Sequence, residues 1–210
     1  MPTHPNFPFP LYLVISERDC LDKPWLWVAE QAILGGVDII QLREKESPYA
    51  EFLAKAHALK QLCDQHRVPL VINDQVAIAL EIGAWGVHVG QSDMSPSAVR
   101  KIAGDKLNIG WSLEDDAQLQ SAEFGYVDQL GVSPIFATAT KTDTITEWGI
   151  AGLRDLRRQT DKPLIAIGQM NFQTAGRAWH AGANSVAVVS AICQAVDPQE
   201  ASKQLKEQLQ

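Results

Sequence analysis

Apolar residues in this chain gather in short runs, and the runs recur at regular intervals separated by segments of helical spacing. Eight are β-rich: LYLVIS (residues 11–16), VDIIQL (37–42), PLVIND (69–74), WGVHVG (85–90), LNIGWS (107–112), YVDQLGV (126–132), PLIAIG (163–168) and SVAVVS (185–190). Several are apolar throughout rather than alternating, as expected for strands of a parallel sheet buried on both faces. Residues 47–66 and 171–181 carry helical periodicity. The phrases GGVDII, IGAWGVHV and AGANSVAV each place a small Gly/Ala turn between a helix end and the next strand. Eight strands alternating with helices predict an α/β fold, a single (β/α)8 barrel over residues 11–210. The rival is a doubly wound open sheet, but no GxGxxG turn follows the first strand. The Pro-rich opening, residues 1–10, is expected to be an irregular arm rather than a signal peptide.

The polar residues fall where such a barrel does its chemistry, at the C-terminal ends of strands. Strand two runs into Gln41, Arg43 and Lys45, which strand periodicity turns to one side. Two cations on one side repel each other unless a multiply charged anion such as diphosphate joins them. The alternative is a solvated turn neutralised by Glu44 and Glu46. Strand three ends at Asn73 and Asp74, and strand four leads to Gln91 and Asp93. Either acid could cap a helix. Together, beside three polar or cationic neighbours, they suit a Mg²⁺–diphosphate site, because magnesium needs only one or two carboxylates plus phosphate oxygens and water.

Ser112 ends strand five, and Trp111 beside it is the tryptophan expected near a ligand. Strand six leads through Ser133 into ATATKTD, with Thr138, Thr140 and Lys141. Lys141 is read as a lid cation or, alternatively, a solvated loop lysine. Gly168 and Gln169 end strand seven, and Val189 and Ser190 end strand eight. His88 reads as a packed or hydrogen-bonded barrel histidine, since no second His or Cys stands at metal-ligand spacing.

Composition narrows the classes. With 210 residues and 46% hydrophobic content the chain buries one large core. The formal charge of −7 argues against nucleic acid as a partner and says nothing against a small anion in a local cationic pocket. No apolar run approaches the roughly 20 residues that cross a bilayer. Three scattered cysteines without CxxC spacing point to reduced thiols and a cytoplasmic setting. Neither GxSxG nor a Walker A loop occurs.

In this order, QLREK (41–45), ND (73–74), GVHVGQSD (86–93), IGWS (109–112), SPIFATATK (133–141), AIG (166–168) and AGANSVAVVSAI (181–192) resemble the thiamine phosphate synthase family over nearly the whole chain. The resemblance implies a (β/α)8 barrel, a homodimer, Mg²⁺, and a reaction joining hydroxymethylpyrimidine diphosphate to thiazole phosphate with release of diphosphate. It implies Arg43, Lys45, Ser112 and Lys141 as catalytic groups, with Asp74 and Asp93 as metal ligands. Gln41, Asn73, Thr138, Thr140, Gly168, Val189 and Ser190 are the further substrate contacts it implies. The chain departs from the family pattern at Gln169 and Ser133, where glycine is usual, and at Glu114, where His or Thr is usual. These departures bear more on the thiazole-phosphate contacts than on the diphosphate contacts. Two rival functions are a thiazole tautomerase-like isomerase and a non-catalytic barrel that binds a thiamine precursor.

Overall fold

The structure is a computed structural model that describes residues 4–136 and 147–210. Eight parallel strands close into a barrel in sequence order: β1 (Leu11–Ile15), β2 (Ile39–Leu42), β3 (Leu70–Asn73), β4 (Gly86–Val89), β5 (Asn108–Leu113), β6 (Gln129–Val132), β7 (Leu164–Ala166) and β8 (Ser185–Val188). β8 pairs back onto β1 through Leu11 and Val186, so no sheet edge is left open. The fold expected from the strand rhythm is the fold observed.

Helices α1 (Trp25–Leu34), α2 (Tyr49–His66), α3 (Val76–Glu81), α4 (Pro96–Ala103), α5 (Gly149–Gln159) and α6 (Ala175–His180) lie in the crossovers, and α7 (Ser190–Cys193) and α8 (Pro198–Glu207) follow β8. The longest shows why it forms: α2 buries Phe52, Ala56, Leu59 and Cys63, one stripe at helical spacing. Between β5 and β6 the described chain makes two short 3₁₀ helices, Asp116–Gln120 and Ala122–Tyr126, in place of an α-helix. The first is closed by a capping box between Asp115 and Gln118. Three helix-to-strand turns carry glycine at positive φ, Gly36, Gly83 and Gly182, as the repeated Gly/Ala phrases predict.

Strand alternation divides the apolar residues into two layers. One set, including Leu11, Leu13, Ile40, Leu42 and Ile72, packs with the helices. The other, including Tyr12, Val14, Ile39, Val71, Ile165 and Ala187, fills the barrel interior. Phe7 joins that inner layer and meets Phe9 and Trp85 edge to face at 5.1 and 5.9 Å. The described part of the arm, residues 4–10, is packed: it closes the barrel at the N-terminal ends of the strands. All three cysteines are free and buried. No helix among the described residues is long and apolar enough to cross a membrane.

Candidate active site

A cavity of about 280 Å³ opens at the C-terminal ends of the strands, on the side opposite the arm. Gln41, Arg43 and Lys45 all line it, so the alternation read from the sequence holds past the end of β2. The intervening acid points elsewhere. Glu44 accepts hydrogen bonds from the Glu17 amide at 2.7 Å, Ser47 Oγ at 2.9 Å and Lys55 Nζ at 3.2 Å. Glu46 pairs with Arg18 at 3.3 Å. The acids that would have neutralised a solvated turn are therefore engaged with other groups. The Arg43 guanidinium makes no hydrogen bond or ion pair among the described residues and remains available to an anion.

Asp74 and Asp93 line the same cavity, with Asn73. Neither acid caps a helix. No side chain caps α3, and Ser95 caps α4 by accepting from the Ala98 amide. Asp93 instead accepts from the Gly90 amide at 2.7 Å. Asp74 sits at φ 62°, a left-handed conformation that Asx residues tolerate, and its amide donates to the His88 carbonyl at 2.8 Å. This geometry turns the Asp74 carboxyl toward Asp93, with Lys45 Nζ at 3.9 Å. Burial, followed by the hydrogen bond and negative charge of Asp93, pushes the Asp74 carboxyl up to about 7, and Lys45 and Arg43 only partly oppose this. Around pH 7 the Asp74 carboxyl is therefore partly protonated, and a cation between the two acids would favour its ionised form. No cluster of three or more His, Cys, Asp or Glu able to hold a metal occurs among the described residues. Two adjacent carboxylates fit a hard divalent cation that takes its other oxygens from phosphate and water.

Ser112 Oγ lies 3.0 Å from His88 Nε2, across the β4–β5 pairing. The Ser112 carbonyl accepts from Gln91 Nε2 at 2.6 Å and Gln118 Nε2 at 3.0 Å. Gln118 Oε1 in turn accepts from the amides of Glu114 at 2.8 Å and Asp115 at 3.0 Å, which fixes the turn after β5. Trp111 does not approach the cavity. Ser112 faces inward, so its neighbour must face the helices, where Trp111 is buried in the outer layer. On the opposite wall, Gln41 Nε2 donates to the buried Tyr12 hydroxyl at 2.9 Å. Burial raises the Tyr12 phenol far above its ordinary value, so it stays neutral.

A second recess of about 130 Å³ adjoins the first and shares Val14, Arg43, Ser133, Ile167 and Ala187 with it. It also includes Gly168, Gln169, Val189 and Ser190, as the sequence placed them, together with Asp19. One expectation is corrected here. β8 ends at Val188, and Val189, at φ −121° and ψ −89°, turns the chain so that Ser190 begins α7. The early amides of that helix have no intrahelical acceptor. Gly168 at φ 107° leaves no room for a side chain, since a β-carbon would come within 2.7 Å of Pro134 Cβ. Gln169 also has positive φ, 49°, and its side chain is exposed at the rim. Thr138, Thr140 and Lys141 lie outside the described residues.

The sequence reading placed no ligand role on Tyr12, His88 or Glu114, which all line the larger cavity. Tyr12 and His88 had a usable signal, because each faces inward by the same alternation that places Val14 and Gly90.

The family model described as thiamine monophosphate synthase matches residues 11–192. A thiamine-phosphate synthase of Albidiferax ferrireducens is 48% identical over 198 residues, covering 94% of this chain and 90% of the relative. One from Vibrio campbellii is 40% identical over 195 residues, covering 93% and 95%. Among solved structures, a thiamine phosphate pyrophosphorylase from Pyrococcus furiosus matches with a TM-score of 0.86 at 29% identity, covering 96% of this chain and 95% of its own. A 3-hexulose-6-phosphate synthase matches with a TM-score of 0.71 at 18% identity, which speaks for the fold alone.

Proposed function

The chain belongs to the thiamine monophosphate synthase family, and we propose that it joins hydroxymethylpyrimidine diphosphate to thiazole phosphate and releases diphosphate. It is a transferase. The observation that carries this reading is the convergence of Gln41, Arg43, Lys45 and the Asp74–Asp93 pair in one cavity beside a second recess. Turnover with both substrates and Mg²⁺ tests it, and absence of product from the folded protein would sink it.

Departure of diphosphate from the pyrimidinylmethyl carbon separates charge, and the pyrimidine ring delocalises the cation left behind. The thiazole nitrogen is the nucleophile, so no protein nucleophile is required. The chain's task is to hold the leaving anion with preorganised positive charge. Arg43 and Lys45 face it from β2, with Lys141 assigned to the same role. Asp74 and Asp93 would hold Mg²⁺, which neutralises phosphate oxygens when bound. Ser112 lies next to the reacting groups, Gln41 and Asn73 orient the aminopyrimidine or the diphosphate, and Thr138 and Thr140 add hydroxyl contacts. Gly168, Val189 and Ser190 present the thiazole-phosphate side with backbone amides. A proton-transferring isomerase would have no use for a Mg²⁺–diphosphate site, and Arg43, Lys45, Asp74 and Asp93 in one cavity favour the synthase. The buried free thiols support a reducing, cytoplasmic setting. A homodimer is the assembly the family implies, and its mass in solution checks this.

The acid pair makes the metal requirement readable by pH. Without metal, the folded protein keeps its proton on Asp74 up to about 7, whereas the unfolded chain releases it near 3.8. This raised folded value contributes stability that is complete below the unfolded value and is lost as pH rises through the folded one. The melting temperature of metal-free protein should therefore fall between about pH 4 and about pH 7. Mg²⁺ should raise it by an amount that grows over the same interval, because the cation displaces that proton. Below the folded value its apparent affinity should weaken by about tenfold per pH unit. A magnesium-induced shift that stays flat across the interval would remove the pair from the metal site.

Gln169 tests the second recess. We assign its side-chain amide to the thiazole phosphate, in place of the backbone contact that glycine would allow. Gln169→Ala should raise KM for thiazole phosphate and leave KM for the pyrimidine diphosphate nearly unchanged. Gln169→Gly should restore part of the binding by reopening the backbone route. It should also relieve left-handed strain of about 1 kcal/mol. If both variants match the parent for both substrates, Gln169 points away from the ligand.

A further inference from the structure

The second recess contains one group that a phosphate site alone does not call for. Its lining carries two charges, Arg43 and Asp19, and no ion pair joins them among the described residues. Asp19 sits on the short 3₁₀ turn after β1, Arg18–Cys20. Its charged neighbours are committed elsewhere: Glu17 pairs with Lys55 at 2.8 Å, and Arg18 with Glu46 at 3.3 Å. Asp19 is half-buried and is fixed from within its own turn. Ser16, itself buried, donates its hydroxyl to Asp19 Oδ2 at 2.6 Å and accepts from the Asp19 amide at 3.1 Å. Asp19 Oδ1 accepts no hydrogen bond among the described residues, and the carboxylate makes no ion pair there.

A carboxylate repels phosphate, so it weakens a recess whose ligand offers negative charge alone. A recess that keeps one cation and one anion unpaired suits a ligand with both signs of charge. The transfer reaction makes such a ligand. The bond from the pyrimidinylmethyl carbon to the diphosphate oxygen breaks, and its electron pair leaves with the diphosphate. The thiazole nitrogen gives its lone pair to form the new carbon–nitrogen bond. No proton moves, and the neutral thiazole ring becomes a thiazolium cation that still carries its phosphate.

We propose that Asp19 is a further catalytic residue, which stabilises the positive charge that appears on the thiazole ring while Arg43 faces the phosphate. The charge develops as the bond forms, so a carboxylate already in place favours the transition state and the product over the neutral substrate. The two hydrogen bonds with Ser16 hold the carboxylate there, so it need not reorganise during the reaction. This role rests on the assignment of the second recess to thiazole phosphate.

Asp19→Asn removes the charge and keeps an oxygen for the Ser16 hydroxyl, so its melting temperature should match the parent's. Calorimetry with Mg²⁺ present then compares two ligands that differ in ring charge: thiazole phosphate, with a neutral ring, and thiamine phosphate, with a cationic one. In Asp19→Asn the dissociation constant for thiamine phosphate should rise about tenfold, and that for thiazole phosphate should stay within about twofold or fall. The ratio kcat/KM for thiazole phosphate should also drop by about tenfold, a loss of transition-state stabilisation that product release does not enter. Asp19→Glu keeps the charge on a longer stem and should recover part of the preference for the cationic ring. It also serves as the second variant should the asparagine form fail to fold. An asparagine variant that weakens both ligands equally, or neither, overturns the proposal. So does a glutamate variant that behaves like the asparagine one. If the parent itself binds neither ligand, the second recess is not a thiazole-phosphate site, and the role of Asp19 falls with that assignment.

Discussion

Asp93→Ala is expected to lose nearly all magnesium-dependent turnover while the barrel stays folded. Asp93 is the acid paired with Asp74 at the cavity wall, and after burial its hydrogen bond and then its charge raise the Asp74 carboxyl. Removing it leaves Asp74 as the lone acid ligand beside Lys45, which is 3.9 Å away and can then compete with metal for it. Loss of the metal's charge on a leaving phosphate is worth several kcal/mol, so kcat/KM should fall by about 10³-fold. Stability should move differently. Alanine also deprives the Gly90 amide of its acceptor at 2.7 Å, so Asp93→Asn is the cleaner companion, because it keeps an oxygen for that amide and removes only the charge. The asparagine variant without metal should melt at or above the parent near pH 8, where the parent's two carboxylates repel. Its melting temperature should no longer respond to Mg²⁺. Turnover and magnesium dependence like the parent's in either variant would take Asp93 out of the site.

Much of this site could be read from the sequence because a parallel barrel obeys simple rules. Apolar runs fix the strands, the strand ends fix the active face, and a period of two fixes which side chains reach it. Those rules placed Gln41, Arg43 and Lys45 together, and the same rule, applied one residue further back, would have turned Trp111 outward. What the sequence left hidden depends on distant partners. That Glu44 serves Lys55 and the Glu17 amide, and so leaves Arg43 unneutralised, is a contact between β2, α2 and the turn after β1. The end of β8 was misjudged because Val189 and Ser190 continue an apolar β-rich run, although the backbone reverses at Val189 to start α7. The arm offered no periodicity, and its aromatic residues gain meaning only against Trp85, 78 positions beyond Phe7 in the chain.

Arg43→Ala should be the most damaging change among the cations. Arg43 is the charged residue that lines both recesses, so one guanidinium can face both of the proposed phosphate sites. A preorganised donor of this kind contributes roughly 2–4 kcal/mol to the transition state, a loss of about 30- to 1000-fold in kcat. KM for thiazole phosphate should rise as well. Lys45→Ala should do less, because Lys45 lines only the larger cavity, its side chain is 44% exposed, and part of its charge is spent on Asp74. Arg43→Lys should recover little, since a point charge cannot face two anions as a planar fork does. The comparison separates the roles. A fall in kcat with thiazole-phosphate KM unchanged would confine Arg43 to the leaving group. A rise in KM for both substrates with kcat intact would make Arg43 a binding residue only, and the assignment of transition-state charge to it would be wrong.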